Sequence, residues 1–365
     1  MKYWPALDGL RAVAVLAVML FHAQFPPLQG GFLGVDIFFV LSGFLITAQL
    51  LQELRDSGRI RWTGFFVRRL VRLQPALLLL LFAYAGAWSV GWVPGSASAA
   101  LRDIGVVLLG IAHWARAFGW HSPDYLGHAW SLGIEEQFYL LWAVTLAALG
   151  SWCARPWRLC LLAVVGAIAS VLWMQWLQAA GANPSRLYNG LDTRAMALLW
   201  GCALAGGLQT LRPELLRTGG PSDTLGKNRC GSALESALSH IAWAALLALI
   251  AAMIVSQWKH PMMFRWGYFT AAFITAVLLA ALVQAPASIC SHILGSKPLV
   301  AVGKISYGLY LWHYPLYRIA EYKHKEWEVT FAFAMCAATA LTLCIAWGSY
   351  FFVERPLRSR LRMRS

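Results

Sequence analysis

The chain has 365 residues, of which 59% are hydrophobic and only 13% are charged, whereas soluble globular domains carry about 25% charged residues. So few charges cannot cover the apolar surface of a water-soluble protein, which excludes a soluble enzyme or binding module and indicates a membrane protein. The net charge of +14 first suggests nucleic acid, but the charges concentrate in the segments between apolar stretches, so no nucleic-acid partner is expected.

Ten long apolar stretches predict transmembrane helices, because a spanning helix needs about 20 mostly apolar residues. The first stretch lacks a small-residue cleavage site, so it is predicted to span the membrane rather than to act as a signal peptide. The sequence therefore predicts an all-α polytopic membrane helix bundle of about ten transmembrane helices. The predicted helices are residues 9–25, 32–51, 73–93, 134–150, 158–178, 194–210, 240–257, 266–285, 302–320 and 329–352.

An eleventh apolar stretch, residues 101–118, is interrupted by His113 and Arg116. With ten helices and a cytoplasmic N-terminus, 21 of the 30 Lys and Arg residues lie on the cytoplasmic side, as the positive-inside rule requires. An eleventh crossing would invert every later loop and weaken this asymmetry. Residues 101–118 are therefore predicted to be re-entrant or to lie at the outer interface, and both termini are predicted to be cytoplasmic.

The whole chain, residues 1–365, is predicted to be one membrane domain, because neither an internal repeat nor a soluble domain is visible. Residues 356–365 form a basic cytoplasmic tail, interpreted as a stop-transfer signal that binds anionic lipid. The seven cysteines are scattered and form no CxxC pair, so neither a disulfide framework nor a zinc site is expected.

Basic residues gather at the cytoplasmic ends of the first and third predicted helices. Arg11 begins the first helix, and Arg68, Arg69 and Arg72 precede the third. Arg69 and Arg72 share a helix face at a spacing of three residues, and guanidinium groups bind phosphates in bidentate fashion. A phosphate clamp and simple positive-inside flanking both explain these residues, and the sequence alone leaves the two open.

A second group of ionisable residues is predicted near the outer ends of the helices. A loop of about six residues joins the first two helices, so His22 and Asp36 are expected to face each other at similar depth. A carboxylate beside an imidazole fixes its tautomer, which makes His22 a candidate general base. Glu135 is predicted on the same outer side, to bind the acceptor or to assist proton transfer. A packed structural histidine is the alternative for His22.

Other chemistries have weaker support. The sequence contains no GxSxG, P-loop or HExxH pattern, and no cysteine lies in a charged cluster. A metal bound by His22, Asp36 and Glu135 is a disfavoured alternative, so no metal is predicted.

Six sequence strings together resemble membrane-bound acyltransferase family 3, over residues 7 to about 356. They are LDGLRAVAVLAVMLFHA, GVDIFFVLSGFLIT, RRLVRLQP, HAWSLGIEEQFYLLW, VGKISYGLYLWHYPL and VERP. The resemblance implies a multi-pass bacterial-type inner-membrane protein that moves an acyl group, most often acetyl, from cytoplasmic acyl-CoA. It implies no permanently bound cofactor, because acyl-CoA is a substrate.

The resemblance also assigns roles to single residues. The family's Arg-x10-His pattern is matched by Arg11 and His22, and its Arg-x-x-Arg pattern by Arg69 and Arg72. Its Ser-Leu-x-x-Glu pattern is matched by Ser131, Leu132 and Glu135, and its Gly-Val-Asp by Asp36. Further candidates for substrate binding are Ser42, Arg194 and His313.

The predicted function is O-acylation of a hydroxyl on a cell-surface or lipid-linked glycan. The chain is expected to be a standalone member without a C-terminal hydrolase-like domain, which acylates directly or passes the group to a separate extracytoplasmic transferase. The alternative is a transporter or flippase of lipid-linked sugars, although the internal symmetry typical of transporters is not visible. The acceptor, the acyl chain length and the oligomeric state stay open.

Overall fold

A computed structural model describes residues 3–150, 152, 155–216 and 232–357. Cys153, Cys230, most of the turn-rich 211–239 segment and residues 358–365 of the predicted basic tail lie outside the described residues. Within the described residues the secondary structure is entirely helical, so the prediction of an all-α membrane fold is confirmed.

Fifteen α-helices follow one another along the described part of the chain. They are α1 (Pro5–His22), α2 (Gly34–Ser57), α3 (Trp62–Ser89), α4 (Ala97–Leu108), α5 (Ala112–Ala117), α6 (Trp130–Leu149), α7 (Pro156–Ala179), α8 (Pro184–Asn189), α9 (Leu191–Leu211), α10 (Ser232–Val255), α11 (Tyr268–Gln284), α12 (Ile289–Leu294), α13 (Lys297–Lys304), α14 (Ser306–Lys323) and α15 (Phe331–Ser349).

Eight described helical segments are long and apolar enough to cross a membrane. They contain α1, α2, α3, α6, α7, α10, α11 and α15, which correspond to eight of the ten predicted helices. The other two, α9 and α14, have 21 and 18 residues but carry charged side chains. These two helices pack inside the bundle, α9 against α2 and α7, and α14 against α15 and α1. The count of ten crossings and the cytoplasmic termini stay predictions.

The interrupted stretch 101–118 forms two short helices rather than one long one. Helix α4 has 12 residues and α5 has six, so neither reaches the length of about 20 residues that a crossing needs. The chain turns between them at Gly110, whose φ is +65°. Burial lowers the pKa of His113 on α5 to about 4, so its imidazole is neutral at physiological pH and binds the Gln137 side chain of α6 at 3.2 Å.

Several helix boundaries differ from the predicted ones. Helix α2 continues to Ser57 and α3 begins at Trp62, so Arg68, Arg69 and Arg72, which were predicted to precede the third helix, lie within α3. The predicted helix 302–320 is broken at Ile305 into α13 and α14. Apolar composition indicates where a helix crosses lipid, but a helix can continue into water beyond that point. The helices therefore begin earlier or end later than the predicted apolar stretches.

Glycines allow α2 and α9 to cross in direct backbone contact. A Cβ atom on Gly43 of α2 would lie 1.9 Å from the Leu198 carbonyl oxygen, and a Cβ on Gly201 of α9 would lie 2.0 Å from the Val40 carbonyl oxygen. Small residues at such crossings are how membrane helices approach closely. This crossing fixes α9 against α2 and so determines which charged side chains of the two helices meet.

Candidate active site

A central cavity lies between α2, α3, α6 and α14, with Arg11 of α1 at its edge. Its lining contains both charged and aromatic side chains. The lining residues are Arg11, Val35, Phe38, Phe39, Leu41, Ser42, Leu45, Arg69, Arg72, Leu73, Ser131, Leu132, Glu135, Tyr139, Ser306, Tyr307 and Tyr310. On α2 the lining runs from Val35 to Leu45, which is about 15 Å along the helix axis.

Three of the four arginines predicted as a phosphate clamp line this cavity together, namely Arg11, Arg69 and Arg72. The Arg69 guanidinium carbon lies 4.2 Å from the centre of the Tyr139 ring, and one of its Nη atoms donates to the Gln49 side chain at 3.3 Å. Arg68, by contrast, lines a different cavity. The prediction that Arg68 acts with the other three in one site is therefore wrong, because Glu53 of α2 lies 3.4 Å from the Arg68 guanidinium and holds it beside the α2–α3 turn.

Glu135 also lies with these arginines. The Ser42 hydroxyl donates to the Glu135 carboxylate at 2.6 Å, and both residues line the central cavity beside Arg69 and Arg72. The sequence grouped Glu135 with His22, but the structure places Glu135 on the cavity that the arginines line, whereas His22 contacts His313. Helix α6 begins at Trp130, so Glu135 lies about 7–8 Å along the axis from the first residue of the helix.

Asp36 forms a buried ion pair with Arg194. An Nη atom of Arg194 donates to Asp36 Oδ1 at 2.7 Å, and both side chains are at most 1% exposed. The guanidinium carbon also lies 4.1 Å from the Tyr268 ring centre and 5.0 Å from that of Tyr188. The predicted His22–Asp36 pair is therefore wrong: a carboxylate in this apolar setting pairs with the cation that α9 brings across the glycine crossing.

His22 is hydrogen-bonded to another histidine, His313. The distance from His22 Nδ1 to His313 Nε2 is 3.1 Å, and His313 Nδ1 lies 3.0 Å from the Leu309 carbonyl oxygen. Because a carbonyl oxygen can only accept, a neutral His313 must carry its proton on Nδ1, and its Nε2 must accept. His22 then donates from Nδ1, which leaves its Nε2 unprotonated. His313 thus makes the orienting contact that the sequence assigned to Asp36.

A third histidine, His128, completes a cluster that the sequence did not predict. Its ring centre lies 5.7 Å from that of His313 and 5.1 Å from that of Tyr314. His128 is 2% exposed, and neither ring nitrogen has a hydrogen-bond partner among the described residues. Its position at the start of HAWSLGIEEQF, three residues before Ser131, is the signal that could have identified it.

Tyr310 contacts both the central cavity and this histidine cluster. Its hydroxyl lies 2.7 Å from that of Ser131, and both residues line the cavity. The Tyr310 ring centre lies 5.5 Å from that of His128 and 5.5 Å from that of His313. One aromatic side chain therefore touches both the cavity and the histidines.

The three residues considered as a metal set do not come together. His22 binds His313, Asp36 binds Arg194, and Glu135 binds Ser42. Within the described ranges, no group of three or more His, Cys, Asp and Glu side chains is placed to hold a metal ion.

The fold and the site together define a polytopic membrane protein with a basic cavity and a histidine pair that both contact one aromatic residue, Tyr310. An acyltransferase domain model matches residues 4–351, and the chain belongs to membrane-bound acyltransferase family 3. Both Arg11 and His22, and all the other predicted site residues, lie inside the matched range.

Named relatives support this assignment. The chain is 36% identical over 98% of its length to peptidoglycan O-acetyltransferase OatA of Listeria monocytogenes, of which it covers 56%. It is 34% identical over 98% of its length to the putative peptidoglycan O-acetyltransferase YrhL of Bacillus subtilis, of which it covers 55%. A putative O-acetyltransferase of Staphylococcus aureus is 31% identical, with 98% of this chain and 58% of the relative covered. The chain thus spans about half the length of these relatives, and no solved structure matches it.

Proposed function

We propose that the chain transfers an acetyl group from acetyl-CoA on the cytoplasmic side to a hydroxyl of an extracytoplasmic glycan. The single observation that carries this proposal is the His22–His313 hydrogen bond, which leaves one nitrogen of His22 free to accept a proton. The names of the relatives favour a peptidoglycan sugar as the acceptor. The test compares the mass of cell-wall glycan from cells with and without the protein. If the acetylated sugars disappear when the protein is absent, the proposal is supported. If the glycan mass is unchanged, the proposal is contradicted.

The donor would enter the central cavity from its arginine-lined side. Arg11, Arg69 and Arg72 would bind donor phosphates, and the pantetheine arm would extend toward the inner end. The hydroxyls of Ser131 and Tyr310 lie there, and each is within hydrogen-bonding distance of the His128 carbonyl oxygen. One of them would have to leave that carbonyl to donate to the thioester oxygen as negative charge develops on it. The Tyr310 ring lines the cavity and its centre lies 5.5 Å from that of His313, so the acyl group would pass beside this ring to reach His22.

His22 would act as the general base in the transfer step. Its Nε2 takes the proton from the acceptor hydroxyl while the hydroxyl oxygen attacks the thioester carbonyl. The new C–O bond forms, the C–S bond breaks, and the leaving CoA thiolate receives the proton from His22. His313 Nε2 accepts from His22 Nδ1 throughout, which stabilises the transient imidazolium.

Replacing Arg69 with alanine is expected to raise the KM for acetyl-CoA about tenfold with little change in kcat, because a charge-assisted phosphate contact is worth about 1.5–3 kcal/mol. The check is steady-state kinetics on purified protein. Arg102→Ala removes an exposed arginine whose Nε contacts only the Ser98 carbonyl oxygen in its own helix, so it is the matched control. An unchanged KM in Arg69→Ala would remove Arg69 from donor binding.

Replacing His313 with alanine is expected to lower kcat at least tenfold while leaving the KM for acetyl-CoA unchanged, since only the orientation of His22 is lost. His313→Gln retains an acceptor near the position of Nε2 and should recover part of the kcat. Kinetics of both variants check the proposal. Equal losses in the two variants would mean that an acceptor at this position does not orient His22.

A further inference from the structure

Arg116, on α5, is a partly buried arginine without a carboxylate partner. Within the described ranges, no Asp or Glu side chain forms an ion pair with it. Two other arginines of this region are paired: Arg186 lies 2.5 Å from Asp192, and Arg318 lies 2.7 Å from Asp124. A guanidinium group stays charged at physiological pH. Arg116 therefore carries a positive charge that no described carboxylate offsets.

Neutral contacts with α8 hold Arg116 in place. Its Nε donates to the Asn189 side-chain oxygen at 3.3 Å, and the Ser185 hydroxyl donates to its backbone oxygen at 3.1 Å. Asn189 is 1% exposed, and its amide nitrogen donates to the Ser185 carbonyl oxygen at 2.8 Å. These contacts use only one nitrogen of the guanidinium. The other two remain as donors that can bind a carboxylate in bidentate fashion.

The free end of the Arg116 guanidinium lies among the residues that surround His22. A Cβ atom on Gly127 would lie 2.7 Å from Arg116 Nη1 and 3.1 Å from the Tyr314 hydroxyl oxygen, so this glycine leaves the space that both groups occupy. The Tyr314 ring is edge-on to His22, with ring centres 4.9 Å apart and planes at 85°. His22 also interacts electrostatically with Arg116. The unpaired charge is therefore close to the proposed general base.

His128 is an independent sign that a polar ligand binds here. Both of its ring nitrogens are buried without a hydrogen-bond partner among the described residues, and its ring centre lies 5.1 Å from that of Tyr314. A neutral imidazole has one donor and one acceptor, which a sugar hydroxyl can satisfy together because it also donates and accepts. Neither His128 nor Arg116 lines the central cavity, which the donor would occupy. These groups therefore suit the acceptor better than the donor.

We propose that Arg116 binds a carboxylate of the acceptor, and that the acceptor is therefore an acidic sugar. The bound carboxylate would bring a hydroxyl of the same sugar to His22, and His128 would hydrogen-bond to a neighbouring hydroxyl. This inference rests on the proposed function, because it takes His22 as the base, and it adds the chemical class of the acceptor. Carboxylates also occur on acidic peptides, so the test must separate the two sources.

The first measurement compares two acceptors, a disaccharide of N-acetylglucosamine and N-acetylmuramic acid with a free carboxylate, and the same disaccharide with that group amidated. With Arg116→Gln we expect the KM for the acid to rise about tenfold and the KM for the amide to stay within about twofold. Arg265→Gln makes the same charge change at an exposed residue outside both cavities, whose backbone oxygen accepts from Gln175, and it should alter neither KM. A rise for both acceptors, or for neither, overturns the inference.

The second measurement needs neither turnover nor a variant that folds. The acid, its amide and an alanyl-glutamate dipeptide, which has carboxylates but no sugar, are each titrated against the unmodified protein in nanodiscs. We expect the acid to bind about tenfold more tightly than either of the others. Equal affinity for acid and amide, or tighter binding of the dipeptide, overturns the inference. Preference for the acid without any acetyl transfer would instead contradict the proposed function and leave the carboxylate site standing.

Discussion

Replacing His22 with alanine is expected to lower the turnover of acetyl transfer by about 10²–10⁴-fold, the usual contribution of a positioned general base. The structure gives this expectation a specific basis, because the hydrogen bond to His313 leaves His22 Nε2 unprotonated. The KM for acetyl-CoA should change little, since the arginines that line the central cavity are intact. The measurement is steady-state kinetics on protein purified from membranes.

A matched variant separates lost chemistry from lost folding. His240 is exposed and contacts only the Ser236 carbonyl oxygen of its own helix, so His240→Ala should retain normal turnover. His22→Ala should elute from size-exclusion chromatography like the unmodified protein, because His22 is only partly buried. Turnover near normal in a folded His22→Ala protein would exclude His22 as the base.

Breaking the Asp36–Arg194 pair should have the largest effect on stability. Replacing Arg194 with leucine leaves the Asp36 carboxylate buried without its partner, at a cost of about 3–5 kcal/mol. Asp36→Leu should cost a similar amount, because it leaves an arginine side chain that is 0% exposed without its carboxylate. Thermal unfolding in detergent, followed by size-exclusion chromatography after heating, measures both losses.

The double variant Asp36→Leu/Arg194→Leu distinguishes an ion pair from two separate roles. It removes both charges, so it should be less destabilised than the sum of the single variants. If the two losses simply add, the two charges do not stabilise the fold through each other. If Asp36→Leu instead leaves the thermal stability unchanged and abolishes turnover, the result would support the catalytic role that the sequence assigned to Asp36.

Much of the fold follows from composition, and the exceptions have a physical cause. Every predicted helix has a counterpart in the structure. This includes α9 and α14, whose charged residues are few and widely spaced. The ends were less predictable: the apolar part of α3 begins at residue 73, but the helix begins at Trp62. The arginines of its first turns continue the helix because they form helices readily in water as well.

The candidate site was predictable where it depends on local spacing. Arg69 and Arg72 are one helical turn apart, so their shared face followed directly, and the cavity that they line confirms it. The partners of Asp36 and His22 were not predictable in this way. Arg194 on α9 is 158 residues from Asp36 in sequence, and His313 on α14 is 291 residues from His22. Which helix faces meet depends on backbone contacts such as that of Gly43 with Leu198.

Purified protein in sealed liposomes, given radiolabelled acetyl-CoA on one side and a glycan acceptor on the other, tests the central claim most directly. If His22 takes the acceptor's proton while the arginines hold the donor, label should appear in the glycan across the bilayer and should be absent with the His22→Ala protein. Glycan that crosses the bilayer without label would identify a transporter instead. Label transfer that survives in folded His22→Ala would contradict the account.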